Sequence, residues 1–378
     1  MKLSATRENL YQGLAITSHI STKNVNLPIL SNVLMQADKG GLKLISTNLE
    51  ITITCNIRGK VEQEGEYTIP SKLFFDYVSL LPNERIDADL HDDALSIVCG
   101  DAKTKIKGIV ASEFPLVPPV KSDLTYSVSV NELKTALSRV LFAAATNEAR
   151  PELAGVLLAF NHPTSGAGTL TLAATDSYRL AEAVVKLSSG GGEVRQMIVP
   201  QRTLSEWNRI LGVFKDDVEA PVAVEIGLSG NQIVLRYGGV ELSSSIIEKN
   251  YPDYKQIIPK TVKTEIVIDR QEFIQAIKAA SLFSKTGLYD VGLKATTGGL
   301  ELSALDAARG ENKVLLASEM TGDENLITLN FRFLLDGVNA MDSAKVRLKM
   351  IDGANPCIVV PEGATDEKYQ YIVMPIRQ

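Results

Sequence analysis

With 378 residues, 45% hydrophobic and 22% charged, the chain has room for about two to four ordinary domains and apolar side chains enough for separate cores. No apolar run reaches the ~20 residues of a membrane-spanning helix, and the opening Met1-Lys2-Leu3-Ser4-Ala5-Thr6-Arg7-Glu8 is charged where a secretion signal needs a greasy core, so a cytoplasmic protein with no membrane partner is expected. A net charge of −6 speaks against nucleic acid unless charge is sorted between faces, and the widely spaced Cys55, Cys99 and Cys357 read as buried thiols, not a disulfide framework.

In chain order, Leu3 and Ala5 suggest a short strand, with Thr6 as a cap for a helix carrying Leu10, Leu14 and Ile16. The turn Lys39-Gly40-Gly41 separates strands. A second helix starts at Pro70-Ser71, its apolar residues including Leu73, Tyr77 and Leu80. The hairpin of Ala94-Leu95-Ser96-Ile97-Val98 and Gly100-Asp101 closes this first third. Thr125-Tyr126-Ser127-Val128-Ser129-Val130 alternates polar and apolar as a half-buried strand does. Asn131 offers the next cap, and Leu133, Leu137, Val140 and Leu141 recur at helical spacing. Pro200-Gln201 opens another helix, with Leu204, Trp207, Ile210 and Leu211, and the glycine pair Gly238-Gly239 marks another hairpin. Ile266 and Ile268, the cap Asp269, and Phe273, Ile277 and Leu282 start the sequence of elements a third time. A last helix at Asn330 carries Phe333, Leu334 and Val338, and the hairpin at Asp352-Gly353 follows.

The elements recur because the chain repeats. Gly41-Leu42-Lys43-Leu44-Ile45-Ser46-Thr47-Asn48 returns as Gly168-Thr169-Leu170-Thr171-Leu172-Ala173-Ala174-Thr175-Asp176 and again as Gly299-Leu300-Glu301-Leu302-Ser303-Ala304-Leu305-Asp306. The step from Leu42 to Leu170 is 128 residues, and from Leu170 to Leu300 it is 130. That period is a whole domain, far longer than the roughly 20–50 residues of a solenoid repeat. The expected fold class is α+β: three repeated domains, each two helices packed on antiparallel sheet. The expected domains are 1–120, 121–252 and 253–378, jointed at the proline-rich Phe114-Pro115-Leu116-Val117-Pro118-Pro119 and at Tyr251-Pro252-Asp253-Tyr254.

Charge is sorted. The six helical segments 7–20, 71–81, 131–145, 201–211, 270–285 and 330–341 hold ten bases and six acids, a net +4, which leaves −10 on the rest. Ordinary solvated helix faces give such a count, and so do equivalent helices turned toward a common polyanion. The second reading selects Lys134, Arg139, Arg209, Lys278 and Lys285 as contacts. Catalytic arrangements are missing: there is no phosphate-binding loop, dinucleotide fingerprint or nucleophile elbow. Ser189-Gly190-Gly191-Gly192 reads as a hairpin or linker. His19, His91 and His162 lack ligands at metal spacing, apart from Asp92-Asp93, which reads as a turn. No catalytic residue, metal or cofactor is expected. Asn48, Asp176 and Asp306 read as turn-fixing side chains. An enzyme would need acid, base and nucleophile converging in one repeat; a scaffold that binds only proteins remains an alternative.

Four strings carry a resemblance: Leu27-Pro28-Ile29-Leu30-Ser31-Asn32, Ala174-Thr175-Asp176-Ser177-Tyr178-Arg179-Leu180, Tyr251-Pro252-Asp253-Tyr254 and Tyr371-Ile372-Val373-Met374-Pro375-Ile376-Arg377-Gln378. In order and spacing, over the full length, they resemble the bacterial DNA polymerase III beta sliding clamp family. The resemblance implies a head-to-tail homodimer, each chain forming half of a closed ring around double-stranded DNA. Such a ring is a non-catalytic processivity factor of DNA replication. It implies as partners the DNA polymerase III alpha subunit, the clamp loader and other clamp-binding repair proteins. It adds Lys23, Asn24, Arg150 and Arg202 to the DNA contacts, which are sequence-independent. It implies a partner-peptide pocket of Thr175, Ser177, Tyr178, Arg179, Leu180, Pro252, Ile257, Pro356, Ile372, Met374 and Pro375. Ile106 on one side and Leu282 and Phe283 on the other are the implied dimer contacts. The chain departs from the usual pattern at Ser177-Tyr178, where Gly-His is common, at Lys23-Asn24, and at the terminal Gln378.

Overall fold

The computed structural model describes residues 1–21, 27–147, 149–214, 220–363 and 368–377. Among the described residues six α-helices follow the order read from the sequence: α1 (Arg7–Thr17), α2 (Ser71–Leu80), α3 (Val130–Val140), α4 (Gln201–Val213), α5 (Arg270–Ser281) and α6 (Phe331–Asn339). Two expected caps form, and a third cap lies at the expected helix start Asn330. Thr6 accepts from the Asn9 amide, Asp269 from Gln271 and Glu272, and Asn330 from Arg332 and Phe333. Each satisfies a donor that a helix start leaves orphaned, worth about 0.5–2 kcal/mol. α3 starts at Val130, one residue before the Asn131 expected to cap it.

Two compact units emerge. The first holds residues 1–130, 188–191 and 205–246; the second holds 131–187, 192–204 and 247–378. In the first, Gly59–Gln63, Lys2–Thr6, Arg85–His91, Ala94–Cys99 and Ala102–Lys107 form a five-stranded antiparallel sheet in that order. An eight-stranded antiparallel run accompanies it. Its opening four strands are Gly65–Pro70, Asn32–Asp38, Gly41–Thr47 and Ile51–Ile57, and its closing four are Val240–Ser245, Gln232–Tyr237, Ala223–Ser229 and Leu124–Ser129. The first four belong to repeat one and the last four to repeat two. Hydrogen bonds between Ile51–Ile57 and Val240–Ser245 therefore weld two repeats into one sheet.

The second unit does the same one repeat later. Arg195–Pro200, Gly155–Phe160, Thr169–Thr175 and Arg179–Gly190 continue into Tyr369–Val373, Cys357–Pro361, Lys345–Met350 and Thr264–Asp269. A four-stranded sheet of Gly310–Leu316, Gly299–Asp306, Asp290–Thr296 and Asn325–Asn330 completes it. Compactness follows the shared sheets and thus crosses the repeat boundaries. Strands alternate apolar inward and polar outward, so Ile51, Ile53, Cys55 and Ile57 are buried while Thr52, Thr54 and Asn56 are not. Glycine permits one close approach: a Cβ on Gly337 of α6 would meet the Tyr371 ring at 2.2 Å. Cys55, Cys99 and Cys357 are buried free thiols, and burial pushes Cys55 and Cys357 up to about 12.

Candidate peptide groove, edge strands and basic helix face

The turn after Thr175 is built from side chains. The Asp176 carboxylate accepts from the amides of Tyr178 (2.9 Å) and Arg179 (3.0 Å), and Thr175 Oγ1 donates to the Arg179 carbonyl at 2.6 Å. This holds Ser177 at φ 81° and leaves Tyr178 66% exposed. The first repeat makes the same turn. Asn48 accepts from Glu50 (3.1 Å) and Ile51 (2.8 Å), Thr47 donates to the Ile51 carbonyl at 3.0 Å, and Leu49 takes φ 77°. In the third repeat Asp306 accepts from Ala308 and Arg309 in a related turn. The recurring Asn or Asp is thus a turn-former in all three repeats.

Arg179 is a structural anchor. Its Nε meets Asp176 at 2.9 Å, its Nη1 meets Asp336 at 2.5 Å, and the guanidinium lies 4.6 Å over Phe333 and 5.5 Å over Phe142. Beyond it, Leu180 pairs with Ile372 across the strands, and the Met374 amide donates to the Tyr178 carbonyl at 2.9 Å. Leu180 and Ile372 are fully buried in a layer with Leu157, Ala173, Tyr254, Ile358 and Val360, against which Tyr251 and Ile258 pack. Of the predicted pocket residues, Leu180, Ile372 and Thr175 therefore form a buried backing. Ser177, Tyr178, Pro252 and Ile257 are exposed above it, and Pro356, Met374 and Pro375 are half-buried. Ser177 also accepts from Arg150 Nη1 at 3.1 Å, which ties the Arg150 loop to this rim.

One residue in this region escaped sequence reading. Glu182 is buried, and its carboxylate gathers three side chains from two other segments. Tyr254 donates its hydroxyl, Lys255 Nζ approaches to 2.5 Å, and Gln370 Nε2 donates at 2.9 Å. Burial and the adjacent carboxylate push the Tyr254 phenol far above its ordinary value, so it stays a donor. The signal was a lone acid inside Leu180-Ala181-Glu182-Ala183-Val184, where charge needs a partner.

Among the described residues, Ala102–Lys107 in the first unit and Gly310–Leu316 in the second are each an edge strand of a smaller sheet, with Gly59–Gln63 and Asn325–Asn330 at the opposite edges. Lys103, Lys105 and Lys107 are exposed on the first, while Ile106 is turned into its own core at 5% exposure. Ile106 therefore offers a position in the edge strand and no exposed side chain. Leu282 is 67% exposed at the end of α5, and a Cβ on Gly310 would lie 4.0 Å from Phe283. Phe283, just after α5, thus sits near the start of the second edge strand.

The helix bases divide. Arg150, Arg202, Lys278 and Lys285 are exposed, and Lys134 is half-buried. Arg209 is committed internally. Its guanidinium holds Glu206 at 2.6 Å and donates to the carbonyls of Ala15 (2.9 Å) and Ile16 (2.8 Å) at the end of α1. His19 Nδ1 meets the same buried Glu206 at 2.6 Å. Arg139 lies over the Tyr369 ring at 5.1 Å with its side chain 21% exposed. Both side chains are engaged within the fold, which a helix-face count does not reveal. Lys23, Asn24 and Gln378 lie outside the described residues.

Among known proteins, models of the DNA polymerase III beta subunit match the chain in three consecutive pieces. The N-terminal domain matches residues 1–118, the central domain 127–253 and the C-terminal domain 255–377. The chain belongs to this family. The beta sliding clamp of Synechocystis sp. is 29% identical, over 100% of this chain and 99% of the relative. That of Staphylococcus aureus is 27% identical over the same shares. Among solved structures, a sliding clamp (DNA polymerase III subunit beta) from Pseudomonas aeruginosa bound to griselimycin is similar at TM-score 0.92 and 26% identity, with both chains fully covered. The DNA polymerase III beta subunit from Thermotoga maritima gives TM-score 0.91 and 25% identity over 100% of this chain and 99% of that one.

Proposed function

We propose that this chain is one subunit of a head-to-tail homodimeric sliding clamp, a non-catalytic processivity factor that encircles duplex DNA in the cytoplasm. Three domains, 1–120, 121–252 and 253–378, form its half of the ring. The observation that carries the reading is the pair of edge strands Ala102–Lys107 and Gly310–Leu316, because they are the two halves of a junction that the chain already makes twice. Ser244 pairs with Ile51 in one shared sheet and Val373 with Arg179 in the other. By repeat position Ile106 corresponds to Ser244 and Val373, and Gly310 to Ile51 and Arg179. Applied to two copies, that register sets Ile106 opposite Gly310, Lys105 opposite Glu311 and Lys103 opposite Lys313. A heterologous contact repeated by rotation closes into a ring when the rotation divides the circle.

In that ring, basic residues on helices and loops meet phosphates without reading bases, as sliding requires. Arg150, Arg202, Lys278, Lys285 and Lys134 are the best placed, with Lys23 and Asn24 added by resemblance and Arg139 and Arg209 as weaker candidates. The rim of Tyr178, Pro252, Ile257, Met374 and Pro375 receives a short extended apolar peptide of the polymerase alpha subunit, the clamp loader or repair proteins. Its buried apolar backing keeps the rim rigid, and the thioether of Met374 adapts to several side chains.

Light scattering at micromolar concentration tests the assembly: a mass of about twice 41.0 kDa is expected. Replacing both Leu282 and Phe283 with aspartate should give folded monomers. A monomeric wild type, or a dimer indifferent to those changes, refutes the junction. Retention on circular but not linear DNA after loading separates a clamp from a scaffold that binds only proteins.

A further inference from the structure

The two sheet junctions inside the chain put different side chains at one equivalent place between helix and sheet. In the second unit that place holds a tyrosine. Tyr369 pairs with Ala183 across the junction, is 1% exposed, and donates its hydroxyl to the Arg139 carbonyl on α3 at 3.3 Å. The Arg139 guanidinium lies 5.1 Å over the ring. In the first unit Val240 pairs with Cys55, which stands one 128-residue repeat step before Ala183. Helices α1 and α3 each run for 11 residues, and Ile16 is the tenth of α1 as Arg139 is of α3. Valine and isoleucine thus stand where tyrosine and arginine do, and this strand position sends no ring toward the helix. A cleft of about 670 Å³ opens beside it, lined by Ile16, Cys55, Ile57 and Phe214, with Gln12 and Gly13 on the helix side.

The cleft is held open by its own walls. Helix α1 cannot move inward to close it, because a Cβ on Gly13 would already meet Ile57 Cδ1 at 2.4 Å. The end of α1 is also fixed to α4 by Arg209, which donates to the Ala15 and Ile16 carbonyls at 2.9 and 2.8 Å. A preformed cleft of this size, with an apolar floor and few polar groups, has the properties of a small-molecule site. We infer that it binds a small neutral phenol, whose ring takes the place that Tyr369 fills in the second unit. Ile16, Cys55 and Ile57 offer the ring apolar contact and Phe214 an aromatic neighbour. The hydroxyl goes to Gln12, which is half-buried one turn before Ile16 on the same face of α1 and whose amide can both donate and accept. Glu8 and Arg58 border the cleft with one charge of each sign, so it favours neither an anion nor a cation. No residue of this site belongs to the peptide rim.

The test titrates para-fluorophenol into full-length protein, following the ligand by fluorine NMR and the protein by isoleucine methyl spectra. Saturable binding of one ligand per chain is expected, with a Kd of about 1 mM or below for so small a ring. The Ile16 and Ile57 methyls should shift, and those of Ile358 and Ile372 should not. The isostere para-fluorotoluene, which lacks the hydroxyl, should bind at least about threefold more weakly, and Gln12→Leu should remove that difference. Equal affinity of the two ligands for wild type overturns the phenol as the ligand class. Val240→Tyr restores the ring from within and should abolish binding while keeping native circular dichroism. Undiminished binding to that variant in its native fold overturns the inference. So does the absence of saturation at about 10 mM, or methyl shifts confined to other isoleucines. The wild-type methyl spectra decide the matter even where Val240→Tyr fails to fold.

Discussion

Glu182 offers the sharpest test of how the linker between the second and third repeats is held. Replacing it with alanine removes the acceptor for the Tyr254 hydroxyl, Lys255 Nζ and Gln370 Nε2 together. Hydrogen bonds to a charged group contribute about 1.5–3 kcal/mol each. Lys255, with its side chain 33% exposed, recovers hydration when released, which removes most of its share. Tyr254 is 8% exposed and recovers little. The net local loss is then about 3 kcal/mol, at the lower end for breaking a buried charged cluster. Hydrogen–deuterium exchange reads this directly, since 1.4 kcal/mol is tenfold in an opening equilibrium. Amides of 254–258 and 369–373 should exchange about a hundredfold faster in Glu182→Ala, with Glu182→Gln in between. Amides of 33–47, in the other unit, should not change. Equal exchange in wild type and Glu182→Ala would refute the assignment of Glu182 as the hub.

Three further outcomes follow from the same geometry. Arg202→Ala or Lys278→Ala should weaken duplex DNA binding equally on every sequence and flatten the salt slope by about one unit each, whereas sequence-dependent loss measured by anisotropy would contradict phosphate contact. Deleting residues 374–378 should abolish binding of polymerase-derived peptides while light scattering still gives a dimer; unchanged affinity would place the groove elsewhere. With thiols pushed up to about 12, Cys55 and Cys357 are almost wholly protonated at pH 8, so a disulfide reagent should label them only on unfolding. Rapid stoichiometric labelling of native protein would contradict their burial.

Much of this architecture was legible before the structure. Thr6, Asp269 and Asn330 announced helix starts because capping chemistry is local, and the recurring Asn48, Asp176 and Asp306 announced turns for the same reason. What was not legible is non-local. Alternation in Ile51-Thr52-Ile53-Thr54 tells which side chains face inward, but no local pattern names Val240–Ser245 as the neighbouring strand. The commitment of Arg209 to Ala15 and Ile16 depends on contacts 193 and 194 residues apart, beyond any helical wheel. Strand parity turns Ile106 inward and leaves Lys105 and Lys107 outward, which depends on a pairing that no local pattern names.

Sheets shared between successive repeats also govern what happens when the chain is cut. Severing it at residue 120 or 252 would part Val240–Ser245 from Ile51–Ile57, or Tyr369–Val373 from Arg179–Gly190, and bare a full ladder of amides and carbonyls on each fragment. An isolated central repeat would carry two such ladders of complementary register, one donated to each absent neighbour. Expressed alone, it has the ingredients of an open-ended polymer, each copy capping the next. Within this chain the covalent order of the repeats satisfies both inner ladders, so pairing that would otherwise pass from copy to copy is used up inside one molecule.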